Sequence, residues 1–345
     1  MQATHEVPGP WQEPVRGSTG NPALLMLPGM EQLRSLLASK NAPPISRLTG
    51  LRLTSVGAGT CTFVMPASEW LLGPKGRIHT GMLAFLADEP LALAILSALP
   101  ARTLMTTVEL SMTLLGEPPS AGGNLLAQAR LIHSDEGSGL SEVFITDADG
   151  RLAAHGTSRC TIFPPVALSG ESISEPAPEP AYDTPDPYER PIPGGAGDIA
   201  PAGLSGLDVL RAAIRGDVPL PPIDHLTGIH PTEADDGRVV FEMPASGWLM
   251  SPTGTIYGGI IACLAKSAAS GAVQTIAPAG TGFTALDVKV NYLKPGVVGG
   301  GTFVAKGSVI HRGRRLAIAT AEVAQNGKLV AVATGSTALR PPAAP

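Results

Sequence analysis

A carboxylate inside an apolar helix is the residue type in this chain that most invites a chemical reading. In residues 78–88 (IHTGMLAFLAD) a turn runs into an apolar stretch that carries Asp88. A core helix has little use for such a charge, because burial without a partner is costly. A counterpart at residues 256–266 (IYGGIIACLAK), displaced by 178 positions, keeps the helical apolar pattern but has Lys266 in place of Asp88. A carboxylate so placed could take a proton from water or attack an electrophile.

The entries of the same two helices offer the complementary chemistry. His79, Thr80 and Gly81 precede one; Tyr257, Gly258 and Gly259 precede the other. The first amides of a helix lack intrahelical partners and carry partial positive charge. Glycine there lets a carbonyl oxygen approach the backbone, where the amides can stabilise it as negative charge develops. Asp88, however, lies seven residues beyond Gly81, roughly 10 Å along the axis at ~1.5 Å per residue. One helix cannot bring both groups to one carbonyl. Two antiparallel helices can, and they would make two clefts: Asp88 with Tyr257, Gly258 and Gly259, and Lys266 with Thr80 and Gly81. Only the first has a carboxylate, so one working site is expected, and one that is degenerate or given to another purpose.

The elements that must hold these groups repeat along the chain. Leu48-Thr49-Gly50 matches Leu226-Thr227-Gly228, and MPASEW (65–70) matches MPASGW (243–248); identity at one spacing marks a duplication. Each copy opens with an amphipathic helix, at residues 30–40 and 206–216, and a proline pair, Pro43-Pro44 and Pro221-Pro222. Then come a strand, the apolar helix and a meander of four strands, with 106–115 (TTVELSMTLL) against 284–293 (TALDVKVNYL). Asp149-Gly150 and Asn326-Gly327 read as two-residue hairpin turns. Pro90, directly after Asp88 and Glu89, is expected to kink its helix. Residues 1–28 read as a mobile arm rich in Pro and Gly, 29–163 as the first domain, 164–200 as a semi-extended Pro-rich linker, and 201–340 as the second domain.

With 345 residues the chain has room for two ordinary domains. Aromatics are only 4% against 43% hydrophobic residues, so the cores are aliphatic. A net charge of −5 offers no bulk attraction for nucleic acid or an anionic membrane. The longest apolar stretch has Asp88, Glu89 and Pro90 at its middle, which argues against a membrane span. Cys61, Cys160 and Cys263 cannot all pair and show no metal-ligand spacing, so no metal is expected and a reducing cytoplasm is the simplest location.

A long helix within an antiparallel sheet, entered through His79-Thr80-Gly81 with an acid nine residues after the His, resembles the hot dog fold. More narrowly, the chain resembles two fused copies of the PaaI-like acyl-CoA thioesterases, with a His-Gly-Gly turn and a carboxylate at the ninth residue. His79 and Asp88 keep one half of that pattern; Tyr257, Gly258 and Gly259 keep the other. The resemblance implies an α+β architecture of tandem hot dog domains, each an antiparallel sheet wrapped round a long central helix, packed as a pseudo-dimer. It implies hydrolysis of acyl-CoA, with Asp88 as general base or nucleophile, Gly258 polarising the carbonyl and Thr107 orienting water. Ala285 replaces that hydroxyl in the second copy, a loss parallel to Lys266. The amide that some relatives carry six residues before the His is missing: Gly73 and Ser251 stand there.

His79, Tyr257 and Gly259 are expected to border the substrate, with His79 and Tyr257 shaping their turns by hydrogen bonds. Arg312, Arg314 and Arg315 have guanidinium groups suited to the phosphates of coenzyme A. Coenzyme A would be part of the substrate, with no further cofactor, and a homodimer of the double unit is plausible. Blander readings compete: Asp88 as a structural acid at a kinked helix, Lys266 as an interface residue, the arginines as a surface turn, Glu89 and Glu109 as edge charges. Two other functions compete as well, a non-catalytic acyl or acyl-CoA binding protein and a hot dog dehydratase or hydratase.

Overall fold

The computed structural model describes residues 8–166, 179–192 and 203–340. Residues 1–7 of the expected arm and 167–178 and 193–200 of the expected linker lie outside the described residues. The first copy comprises α1 (Gly29–Ala38), α2 (Pro44–Thr49), β1 (Arg52–Gly57), β2 (Thr60–Pro66), α3 (Gly81–Leu96), β3 (Met105–Leu114), β4 (Asn124–Ser134), β5 (Ser138–Thr146) and β6 (Leu152–Ile162). The second comprises α4 (Gly206–Arg215), α5 (Pro222–Thr227), β7 (His230–Asp235), β8 (Arg238–Met243), α6 (Gly258–Thr275), β9 (Gly282–Ala285), β10 (Asp287–Tyr292), β11 (Phe303–Arg312), β12 (Leu316–Gln325) and β13 (Lys328–Arg340). Pro44 and Pro222 begin α2 and α5, where a missing N–H costs nothing. Gly50 and Gly228 end them in the left-handed conformation.

Alternation builds the sheet. In β2 every second residue, Cys61, Phe63 and Met65, is buried, and β8 does the same with Val239, Phe241 and Met243. All pairings are antiparallel, in the order β1-β2-β4-β5-β6-β3-β10-β13-β12-β11-β8-β7, with β9 on β13. That order reads the same from both ends once each strand is replaced by its counterpart. The centre is the β3–β10 pair, where Ser111 faces Lys289, its own equivalent 178 residues on. Lys289 also pairs with Glu109 at 3.3 Å, which gives Glu109 a place at this seam.

Helices α3 and α6 are buried over almost their full lengths, as expected of helices apolar all round. They cross at their glycines. A Cβ at Gly259 would lie 2.8 Å from Phe85 Cα, and one at Gly81 would lie 3.0 Å from Cys263 Cα. Phe85 and Cys263 are themselves counterparts, so each helix entry is pressed against the middle of the other helix. The crossing is possible because both contact points lack a side chain.

Three features differ from the sequence reading. Two strands, not one, precede each buried helix, because Gly59 and Gly237 supply the left-handed residue of a tight hairpin. Asn326 and Gly327 both have positive φ and make the two-residue turn expected of them. Asp149-Gly150 instead lies in a five-residue loop that Asp147 closes, with its Oδ1 accepting from Arg151 N at 2.9 Å.

The third difference concerns the arm and linker. Residues 8–14 (PGPWQEP) and 185–191 (PDPYERP) are a further repeat, and each forms a short 3-10 turn, Pro10–Gln12 and Pro187–Glu189. Each straps the opposite copy. Trp248 Nε1 donates to Glu13 O at 2.9 Å and Ser246 Oγ to Trp11 O at 2.7 Å. In the other half, Trp70 Nε1 donates to Arg190 O and Ser68 Oγ to Tyr188 O, both at 2.7 Å. Arg190 grips both carboxylate oxygens of Glu13, at 2.6 and 2.8 Å, and so joins strap to strap. Proline and glycine gave these stretches the composition of a loose tether; the buried tryptophans, which need a partner for their indole N–H, are what fix them.

Candidate active site

Asp88 meets the entry of α6. A Cβ built on Gly258 would fall 2.7 Å from Asp88 Oδ2, and the Gly259 amide faces the carboxylate closely enough to lower its pKa. Oδ1 is buried and has no hydrogen-bond partner among the described residues. Burial pushes the Asp88 pKa up to about 7, with the Gly259 amide pulling the other way. Burial raises half-buried Glu89 to about 8, and the neighbouring charge of Asp88 adds to it.

The local shape of α3 explains why Asp88 sits as it does. Pro90 has no N–H for the Leu86 carbonyl and opens the helix ahead of it. The Tyr257 hydroxyl enters at this point: it accepts from Glu89 N at 3.1 Å and donates to Phe85 O at 3.2 Å. Those two groups are partners in an unbroken helix, so the phenol bridges the backbone ladder on either side of Asp88. The Tyr257 ring packs on Phe85 with centroids 4.8 Å apart. At 2% exposure Tyr257 is a buried staple across this ladder.

Tyr292 holds the other side of the entry by donating to Gly258 O at 3.1 Å. Sequence reasoning missed this residue, although a signal existed: the first copy has Leu114 at the equivalent position. It also undervalued Glu89 as an edge charge. Thr107, on β3, contacts Cys160 Sγ at 3.7 Å and makes no hydrogen bond to Asp88 among the described residues. The Cys160 thiol is raised to about 11, first by burial, and the charge of Asp88 contributes. Thr107 thus reaches the Asp88 neighbourhood through that thiol.

The open space lies at the other cleft. A cavity of about 440 Å³ is lined by Lys266, His79, Thr80 and Ala285, together with side chains of α4, α5 and β8. Lys266 stands here where the other cleft has Asp88, and the cavity leaves room beside it. Where α3 carries Glu89, Ala92 and Leu93, α6 carries Ser267, Ser270 and Gly271, all of which border the cavity. His79 belongs here, not beside Asp88. Its Nδ1 is 3.6 Å from Cys263 Sγ, and burial followed by the charge of Lys266 lowers its pKa to about 3, so the ring is neutral.

The arginine turn also lies on this side. Leu339 N donates to Arg315 O at 2.9 Å, next to Arg340, which lines the cavity. Arg312 is paired with Asp236 at 3.1 Å. No contact brings Arg312, Arg314 or Arg315 to Asp88 among the described residues.

Comparison with known proteins agrees with this architecture. Residues 253–331 match the sequence model of the Thioesterase superfamily, and residues 52–161 match that of the Acyl-CoA thioesterase C-terminal domain. One match falls on each copy, and together they span more than half of the chain. Among curated protein sequences none matches. Solved structures superpose over both copies. The tesB protein of Mycobacterium avium subs paratuberculosis has a TM-score of 0.53 at 13% identity, covering 86% of this chain and 98% of its own. A hot dog fold protein of unknown function from Alicyclobacillus acidocaldarius gives 0.52 at 13% identity, covering 87% and 99%. The acyl-CoA thioesterase II TesB2 of Mycobacterium marinum gives 0.50 at 12% identity, covering 87% and 98%. At such identities the superpositions establish the hot dog fold, and the two sequence matches establish the family. The chain belongs to the thioesterase superfamily of hot dog thioester hydrolases.

Proposed function

We propose that the protein hydrolyses the thioester bond of acyl-CoA in a single cleft, between Asp88 of the first copy and the α6 entry of the second. In this reading the two hot dog copies work as a pseudo-dimer, each sheet wrapped round its own long helix, with only one of the two clefts equipped for hydrolysis. The observation that carries it is the close approach of the Asp88 carboxylate to Gly258, joined to an Oδ1 that is buried without a partner among the described residues.

The reaction needs a base for water and donors for the oxyanion. Ionised Asp88 removes a proton from water as the water oxygen bonds to the acyl carbon. The carbonyl electrons move to oxygen, where the Gly258 amide, first in its helix and without an intrahelical partner, donates to it. Collapse breaks the carbon–sulfur bond, and the proton held by Asp88 leaves with the sulfur as the coenzyme A thiol. The Gly259 amide anchors Asp88, Tyr257 and Tyr292 fix the two sides of the cleft, and Thr107 orients water from β3. Direct attack by Asp88 to form an anhydride is the competing route for the same residue.

Coenzyme A enters as part of the substrate and no other cofactor is required. The three cysteines are free and buried, which suits a reducing cytoplasm. A homodimer of the double unit is part of this proposal, its test the solution mass. Among the described residues no helix is long and apolar enough to cross a membrane. Release of thiol from a series of acyl-CoA esters tests the assignment. Asp88→Asn is expected to lower turnover by about 100-fold or more, the usual contribution of a positioned base. Full turnover by that variant on every ester would remove the basis for it.

A further inference from the structure

We infer that the Lys266 cleft is a binding site for a free aliphatic carboxylic acid, whose carboxylate meets Lys266 and the α3 entry while its tail lies along α4 and β8. This goes beyond the proposed hydrolysis and does not depend on the chemistry at Asp88.

Lys266 is 6% exposed and lines the cavity. It makes no hydrogen bond or ion pair among the described residues. A buried ammonium without a counter-charge is costly, and the groups around it do not supply one. His79 is neutral, as its low pKa requires. Asp224 also lines the cavity, where burial pushes its pKa well above the ordinary carboxylate value, and no ion pair joins it to Lys266 among the described residues. Cys263 is raised to about 12 and stays a thiol. The α3 entry adds the positive end of a helix, and Lys75, Arg77 and Arg340 line the same cavity. Glu117 is the other acid on the wall, and it is paired with Arg77 at 3.7 Å.

Apolar wall comes from Val209, Leu210 and Ala213 of α4 and from Leu220 and Phe241, with neutral polar groups such as Ser267 and Ser270 beside it. A volume of about 440 Å³ falls within the ~300–1,000 Å³ typical of small-molecule sites. A buried cation without an ion pair, set beside an apolar wall, calls for a ligand with an anionic head and a hydrocarbon body. A neutral thioester would leave Lys266 uncompensated; a free carboxylate would not.

Calorimetric titration of the full chain with octanoate and with 1-octanol tests this. Octanoate is expected to bind at least tenfold more tightly than the alcohol. Lys266→Met should weaken octanoate at least tenfold and leave 1-octanol unchanged. Ala213→Phe, on the half-buried face of α4, should weaken both. Equal affinity of the two ligands for the unmodified protein would overturn the inference, as would unchanged octanoate binding by Lys266→Met, or no octanoate binding at millimolar concentration. Asp88→Asn separates this site from the hydrolytic one. It should lower thiol release by about 100-fold or more and keep octanoate binding; loss of that binding would move the acid to the Asp88 cleft and refute the assignment. Retained octanoate binding alongside full turnover by Asp88→Asn would instead refute the hydrolytic proposal alone.

Discussion

Asp88 and Lys266 occupy one position in two copies, and the fold works against the charge of both. For Asp88 the folded pKa, about 7, lies above the ordinary 3.8. Its neutral form is therefore the one the fold favours. That contribution is complete below pH 3.8 and is lost as pH rises through 7. Asp88→Asn should accordingly raise stability at pH 8, by an amount on the order of 2 kcal/mol, and change it little at pH 4; thermal denaturation at the two pH values reads the difference. Lys266, lowered from 10.5 to about 8 mainly by burial, carries its cost below pH 8 and loses it as pH rises toward 10.5. The same ionisation of Asp88 governs rate. If Asp88 is the base, kcat should fall about tenfold per pH unit below 7, and a flat profile from pH 5 to 8 would exclude it. The exchange of Asp88 for Lys266 was legible in the sequence because two copies in one register serve as each other's control. The same comparison sets Tyr292 against Leu114 but does not show its partner, since the hydroxyl is satisfied by a carbonyl 34 residues away and nothing local marks that partnership.

At the scale of elements, α3 is a helix that its own sequence interrupts and a residue from the other copy repairs. Pro90 was read as the site of a kink, but the bridge by the Tyr257 hydroxyl could not be read, because it crosses between segments 168 residues apart. Tyr257→Phe keeps the ring on Phe85 and removes the bridge, leaving two buried backbone groups short of a partner. A loss of about 1–3 kcal/mol of stability is expected, with kcat reduced more than KM because Asp88 shifts while the cleft walls stay. Pro90→Ala returns an N–H to the ladder and should recover part of both losses in Tyr257→Phe; a purely additive double variant would sink the coupling. The α6 entry is equally constrained. In Gly258→Ala the new methyl would stand 2.7 Å from Asp88 Oδ2, so hydrolysis should fall by at least tenfold while octanoate binding at the Lys266 cleft is untouched.

Across the whole molecule, the duplication legible in MPASEW and MPASGW extends further than those motifs suggested. It reaches into the proline-rich stretches, whose composition hid a repeat of Pro, aromatic and Pro at matching places in residues 8–14 and 185–191. Buried residues of both copies, Leu33 to Ala333, form one hydrophobic cluster. The two copies are also bound reciprocally: Ile45 N donates to Met250 O at 3.3 Å and Ile223 N to Leu72 O at 3.2 Å. Each copy therefore lacks part of its surface until the other's leading segment covers it. The consequence is a crossed dependence. Removing residues 1–14 takes the carbonyl partner from Trp248, which is fully buried, and takes Glu13 from Arg190. Trp70 keeps its own strap, so a local role for the arm would disturb the first copy and a crossed role the second. Hydrogen exchange on the truncated chain should show faster exchange in residues 244–250 and in β8, with residues 66–72 and β2 close to the full-length values. Faster exchange confined to the first copy, or spread equally over both, would contradict the crossing. Glu13→Arg combined with Arg190→Glu should restore the link between straps that either change alone breaks, because the pair joins the two leading segments directly rather than through the sheet.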